Sequence, residues 1–314
     1  MRISRGNDGA SPLHEPVVAQ HIHEFQLSFY MALNRKLGII AGNGRFPFLV
    51  LDAARAQGYE VVVAAIKEET SPEIESRGAT VHWLSLGELS KLIETFRREG
   101  VTRAVMAGQV KHKQIFSSIR PDWRLAKLLL SLDLRNTDAL LGAVAKVLAD
   151  EGIVLENSTA LLEPLLAKTG VLTKSAPSPQ ERKNIDYGRT VARGLGEYDI
   201  GQTVVIAENA CVAVEAMEGT DATITRAGEM MASLDPGKKH PGKSALDRNL
   251  TVVKIAKPKQ DMRFDVPIVG VKTIEVMRAA GATCLALDAG KCLLLDGDAV
   301  IVAAEGAGIA IVAD

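Results

Sequence analysis

A chain of 314 residues, 47% of them hydrophobic, is long enough for one large domain or two ordinary ones, each with a substantial core, and two is the expectation. A formal net charge of -1 withholds the broad positive field that sequence-independent nucleic-acid binding needs, so no nucleic-acid partner is expected. Cys211, Cys284 and Cys292 lie in apolar surroundings without CxxC spacing, which reads as small core residues in a reducing compartment and excludes a disulfide framework or zinc knuckle.

Residues 1–35 read as a disordered leader or an upstream extension before a start at Met31. They lack the basic segment and apolar core of a secretory signal, and His21-Ile22-His23 is too isolated to define a metal site. No later run reaches the roughly eighteen uncharged apolar residues of a membrane span. The first clear unit is "KLGIIAGNGRFPFLVLDAARAQGYEVVVAAI": a strand, a glycine turn, a helix ending near Gly58 and a second strand over Tyr59 to Ile66. "ATVHWLSL", the helix "GELSKLIETFRREG" and the strand "VTRAVMAG" continue the alternation, which predicts a parallel sheet covered by helices. Helices over Trp123 to Leu132 and Thr137 to Glu151 precede a strand in "GIVLEN".

From Lys168 to Asn184 the chain turns polar and proline-bearing, as an interdomain linker would. A helix from about Asp186 then leads to "QTVVIAENACVAVEAM", two β-branched runs broken at Glu208-Asn209, which reads as a hairpin. "LTVVKIA" reads as a buried strand, and the C-terminal stretch as helix, strand, turn, strand, helix, strand. The expected architecture is α/β: a leader (1–35), a Rossmann-like parallel-sheet domain (36–167), a linker (168–184) and an α/β domain with a mixed sheet (185–314).

Gly42-Asn43-Gly44 falls between the first strand and helix, where small residues let the backbone approach a phosphate. Pro47 stands where the dinucleotide fingerprint has its third glycine, so a tight turn opening the helix is an equal reading. Gln109 and Lys111, in "AGQVKHK", occupy a later strand end of the same kind and become candidates for phosphate or base contacts, against a plain solvated loop. Arg120, Trp123, Arg124 and Lys127 share one helix side, opposite Leu125, Leu128, Leu129 and Leu132. That face suits anionic lipid, although an ordinary amphipathic helix has the same pattern.

"VEAMEGTDATI" places Glu215, Glu218 and Asp221 after one strand, and "KPKQDMRFDVP" places Asp261 and Asp265 after another. If the second stretch is extended, Asp261, Arg263 and Asp265 point one way. Carboxylates gathered from two strand ends suit Mg²⁺ or Mn²⁺ bridging to substrate phosphates, which Lys254, Lys257 and Lys259 would also attract. The alternative is structural: Asp221 caps a helix and Asp265 pairs with Arg263. No G-x-S-x-G elbow or HExxH pair occurs.

In order, "GIIAGNGRFP", "AGQVKHK", "LLEPLLAKTGVLTKSAPS", "VEAMEGTDATI" and "KIAKPKQDMRFDVPIVG" make the chain, from about Lys36 to its end, resemble the UDP-2,3-diacylglucosamine pyrophosphatases of lipid A biosynthesis of the LpxI type. The resemblance implies a magnesium-dependent hydrolase that releases UMP and 2,3-diacylglucosamine 1-phosphate (lipid X). It further implies a peripheral enzyme at the cytoplasmic face of the inner membrane, a substrate held between two domains, and a homodimer. Carried over by motif, it marks Glu218, Thr220 and Asp221, and Lys257, Gln260, Asp261, Arg263 and Asp265. Together with the strand-end residues, the expected site comprises Asp261 and Asp265 as catalytic groups. Gly42, Asn43, Gly44, Gln109, Lys111, Thr220, Lys257, Gln260 and Arg263 would bind substrate, and Asp261, Glu218 and Asp221 the metal. Two other classes stay open: a sugar-nucleotide or lipid-binding module without turnover, and a nicotinamide-dependent oxidoreductase supported by the GxG turn alone.

Overall fold

The expected opening unit forms as β1 (Lys36–Ala41), α1 (Phe46–Ala56) and β2 (Glu60–Ile66). The computed structural model describes residues 35–110, 120–132, 137–233 and 249–314; Lys111, residues 1–34 and most of the "GKKHPGKSALDRN" loop lie outside them. In α1, Phe46, Pro47, Val50, Leu51 and Ala54 recur at helical spacing and are buried on the sheet. Gly58, at φ +80°, lets the chain leave the helix in a left-handed conformation and enter β2. β3 (Thr80–Leu84), α2 (Leu89–Arg98), β4 (Arg103–Ala107), α3 (Trp123–Leu130), α4 (Thr137–Asp150) and β5 (Val154–Leu155) follow. The strands order as β3-β2-β1-β4-β5 with every pair parallel, a Rossmann-like sheet. α1 covers one face, while Phe96, Leu125 and Leu148 of α2, α3 and α4 cover the other.

The stretch read as a linker carries structure. β6 (Gly170–Val171) pairs antiparallel with the last strand, and α5 (Pro179–Glu197) begins well before Asp186. Ser178 explains that start. Its hydroxyl accepts the Glu181 N–H at 3.3 Å, and Glu181 accepts the Ser178 N–H at 2.7 Å, a reciprocal capping box with Pro179 in the first turn. Polar composition suggested a linker here, but it belongs to a helix end.

Beyond α5 come β7 (Thr203–Ala207), β8 (Ala210–Val214), α6 (Thr220–Ser233), β9 (Leu250–Lys254), β10 (Ile268–Val269), α7 (Val271–Ala280), β11 (Ala282–Leu287), β12 (Leu293–Leu294), α8 (Asp298–Gly306) and β13 (Ala310–Ala313). β7 and β8 form the expected hairpin, with Glu208 and Asn209 at φ 46° and 61°, the two positive values a tight twisted turn requires. The sheet runs β6-β13-β11-β9-β7-β8. β9, β11 and β13 are parallel and the others antiparallel, so it is mixed. Cys284 and Cys292 are buried as expected, whereas Cys211 is exposed on the edge strand β8.

The two domains share a seam. β10 and β12 form a two-stranded sheet of their own, and Leu166 bridges to Leu293 of β12. Leu293 is buried in the same core as Leu37, Ile39 and Val50, with Val266, Ile268 and Leu295 packed against it. Across the seam Arg45 ion-pairs with Asp296, whose other oxygen accepts the Val271 N–H at 2.8 Å. No helix among the described residues is long and apolar enough to cross a membrane.

Candidate active site

The carboxyl ends of β1 and β4 come together as the sequence suggests. Asn43 and Gln109 exchange backbone hydrogen bonds (2.7 and 3.2 Å), and the Gly42 N–H donates to Ala107 O at 2.8 Å. A Cβ at Gly42 would stand 2.6 Å from Gln109 O, and one at Gly108 would stand 2.6 Å from Asn43 O. These glycines therefore permit two loops to touch, a role distinct from phosphate approach. Gly44, at φ +91°, instead faces open space, and the Asn43 amide donates to Glu69 at 3.2 Å.

The stretch from Lys257 to Asp265 is not extended. Phe264 and Asp265 both return their N–H groups to Asp261 O (3.2 and 2.9 Å), so the chain turns over residues 261–265 and alternation does not apply. Asp261 takes Arg263 in a forked pair: Nη2 donates to Oδ2 at 2.6 Å, Nε to Oδ1 at 2.9 Å, and the Arg263 N–H to Oδ1 at 3.1 Å. The guanidinium holds the Asp261 carboxyl below the usual carboxylate range, although burial opposes this. Asp265 points to Lys257 instead. Its Oδ2 is buried, 3.0 Å from Lys257 Nζ, and has no aligned hydrogen bond among the described residues. Lys257 also pairs with Asp199 at 2.6 Å, a residue held at φ 55°. Gln260 serves the loop itself, accepting the Lys257 N–H (2.6 Å) and donating to Asp265 O (2.8 Å).

Next to this loop lies the start of α6. Lys254, 4% exposed at the end of β9, donates to Thr220 Oγ1 at 2.6 Å, and Thr220 donates to the buried Glu215 at 2.8 Å. Glu218 accepts the Ala216 N–H (3.1 Å) and Arg226 (2.7 Å). Its own backbone N–H, followed by Arg226, lowers its pKa. Asp221 accepts from Thr273 at 2.9 Å and lies 3.7 Å from Lys272.

The expected metal cage therefore does not assemble. Asp261, Glu218 and Asp221 each answer to a separate donor set, and no three His, Cys, Asp or Glu among the described residues gather into a group able to hold an ion. These three residues do not fit a shared Mg²⁺ or Mn²⁺ in this arrangement. Alternation could not foresee it, because the competing donors lie in the turn itself or on other elements.

Between the domains is a cleft of about 290 Å³. Asn157, Thr159, Ala160 and Glu163 line one side; Lys257, Gln260, Met262 and Lys291 line the other. Asn157, Thr159 and Lys291 carry no motif, and only their positions at strand ends could have suggested them.

Family comparison follows the same division. The LpxI N-terminal domain matches residues 36–165 and the LpxI C-terminal domain residues 168–312. UDP-2,3-diacylglucosamine pyrophosphatase LpxI of Caulobacter vibrioides is 34% identical over 280 residues, covering 88% of this chain and 96% of that protein. The chain belongs to the LpxI family. Among solved structures, CobK precorrin-6A reductase covers 88% of this LpxI-family chain and 86% of its own, at 12% identity and TM-score 0.29. A GalE-like L-threonine dehydrogenase from Cupriavidus necator covers 80% of this chain and 64% of its own, at 12% identity and TM-score 0.28. Likeness so remote carries no argument about ligands. Of the motifs, the start of the Lys257–Asp265 stretch, through Lys257, Pro258, Gln260 and Met262, forms one wall of the cleft, and Lys254, three residues before it, ties to the α6 start.

Proposed function

We propose that this chain hydrolyses UDP-2,3-diacylglucosamine, with water entering and UMP and 2,3-diacylglucosamine 1-phosphate leaving. The 34% identity, over nearly the whole length of both chains, to a pyrophosphatase of that name carries this reading. The geometry supports it: the interdomain cleft sets Lys257 and Lys291 beside the Arg263-bearing turn, where phosphate oxygens need neutralising before water can attack. Asp261 engages Nε and Nη2 of Arg263, which leaves Nη1 to meet a phosphate oxygen, and Lys257 is steadied by Asp265 and Asp199. Gly44 and the exposed Gln109 lie at the nucleotide-side strand ends.

The proposal includes a divalent ion that travels with the pyrophosphate instead of residing in a three-carboxylate cage. It also includes a peripheral position at the inner-membrane surface and self-association as a homodimer. The test is incubation of purified protein with UDP-2,3-diacylglucosamine, read by mass spectrometry with and without EDTA. UMP and the sugar 1-phosphate in equal amounts, lost on chelation, are expected. Substrate bound but unconverted would favour a binding module, and a nicotinamide absorbance change would favour an oxidoreductase.

A further inference from the structure

Ser158 has no assigned part in the site, yet it sits where the domains meet and is 1% exposed. Its hydroxyl lies 2.5 Å from Met106 O, at the end of β4, and 2.6 Å from Arg263 O, inside the Asp261–Asp265 turn. Its own N–H donates to Met262 O at 3.0 Å. Two residues beyond Met106 is Gly108, which packs on Asn43, while Asn157 and Thr159 on either side of Ser158 line the cleft. Asn157 itself is fixed, its Oδ1 accepting both the N–H and the hydroxyl of Thr159 at 2.8 Å.

A serine hydroxyl has one proton, so two carbonyls at such distances share it, and without it both part-buried oxygens would lose that donor. We propose that Ser158 is a positioning residue for pyrophosphate hydrolysis, its hydroxyl bridging Met106 O and Arg263 O so that the Asp261–Arg263 pair is held at a fixed reach across the cleft. This rests on the hydrolytic reading above. Ser158 acts through the backbone that carries Arg263. The requirement is for a short donor: alanine removes the proton, cysteine keeps a similar volume with a weaker donor, and threonine keeps the hydroxyl.

The experiment compares Ser158→Ala, Ser158→Cys and Ser158→Thr in the full chain by steady-state hydrolysis of UDP-2,3-diacylglucosamine, UMP binding and amide hydrogen exchange. Ser158→Ala is expected to lower kcat by about 10- to 100-fold, the cost of misplacing a catalytic group by an ångström or less. UMP affinity should stay within about twofold, because the Asn43–Gln109 backbone bonds that join the two strand ends do not use the Ser158 hydroxyl. Ser158→Thr should recover most of the loss, and Ser158→Cys should fall between. Exchange of amides 264 and 265, which close the turn on Asp261, should speed up in Ser158→Ala while β1, β4 and β9 keep their protection. The inference is overturned if kcat in Ser158→Ala stays within about twofold of the parent, or if β1, β4 and β9 lose protection together with the turn in both Ser158→Ala and Ser158→Cys. Exchange needs no turnover, so unchanged protection at 264–265 overturns the inference even if the hydrolytic reading itself fails.

Discussion

Asp261 and Arg263 are two residues apart and chemically one unit, since nearly every lone pair of the carboxylate faces a donor from the same arginine. In the proposed hydrolysis the part of the pair is to fix the direction in which a cation is offered to a phosphate, more than to add the stability of a part-exposed bridge. Asp261→Ala should reduce turnover by about 100-fold, the scale for losing preorganised charge, with UMP affinity nearly unchanged. Asp265→Ala should be milder, because Lys257 retains Asp199. Kinetics paired with direct UMP binding separates the two, and near-normal turnover in Asp261→Ala would remove this pair from the chemistry. pH offers an independent reading. Arg263 lowers the Asp261 pKa, so the ionised, paired form is present above the ordinary aspartate range and is lost as pH falls through the lowered value. In Arg263→Ala the carboxyl should take up its proton at higher pH, and any residual kcat/KM should decline earlier on the acid side. Superimposable acid limbs would show that Asp261 does not govern that limb.

At the level of the element, α3 is the one whose surface changes meaning. Leu125 is buried and Leu128 and Leu129 pack on the core, as its period predicts. Arg124, however, is held by Glu151, which also binds Arg97, so its charge is already answered. Trp123, 74% exposed, and Leu130, 83% exposed, stand two turns apart on one side, with Lys127 over the indole at 5.7 Å. An aromatic, a cation and an aliphatic in line suit a lipid headgroup region. Replacing Trp123 and Leu130 together by serine should weaken co-sedimentation with phosphatidylglycerol vesicles several-fold, following lost apolar burial. Arg124→Gln should have little effect; an equal loss would restore the basic face as the contact. The helix was legible because its leucines repeat, but Glu151 lies just past the end of α4 and no spacing rule connects it to Arg124. The same contrast holds elsewhere. The Gly42 and Gly108 turns could be read as meeting strand ends, whereas the Asp261–Asp265 turn is made by backbone hydrogen bonds that side-chain alternation does not encode. Ser178-Pro179-Gln180-Glu181 was a readable helix start, outweighed by the polar composition around it.

For the whole molecule, what matters is how two α/β units are kept in one relation. Three devices meet at the seam: the Leu293 cluster, the Arg45–Asp296 pair reaching the start of α7, and Ser158 between two carbonyls. Each joins the N-terminal domain to the domain that carries Lys257 and Arg263. Because the cleft exists only between the units, its shape depends on the seam as much as on the residues lining it.

Leu293, with Val266, Ile268 and Leu295 beside it, also sets an order on biosynthesis. The ribosome delivers residues 36–165 long before residue 266, so the first domain must wait with a hydrophobic socket open at its surface, a state that invites chaperones and aggregation. A nascent chain stalled just past residue 200 should be more protease-sensitive and bind more of a hydrophobic dye than one stalled past residue 295 with its C-terminal segment outside the exit tunnel. Equal resistance at both lengths would mean the socket closes on itself. In this fold the end of the message finishes the beginning of the protein.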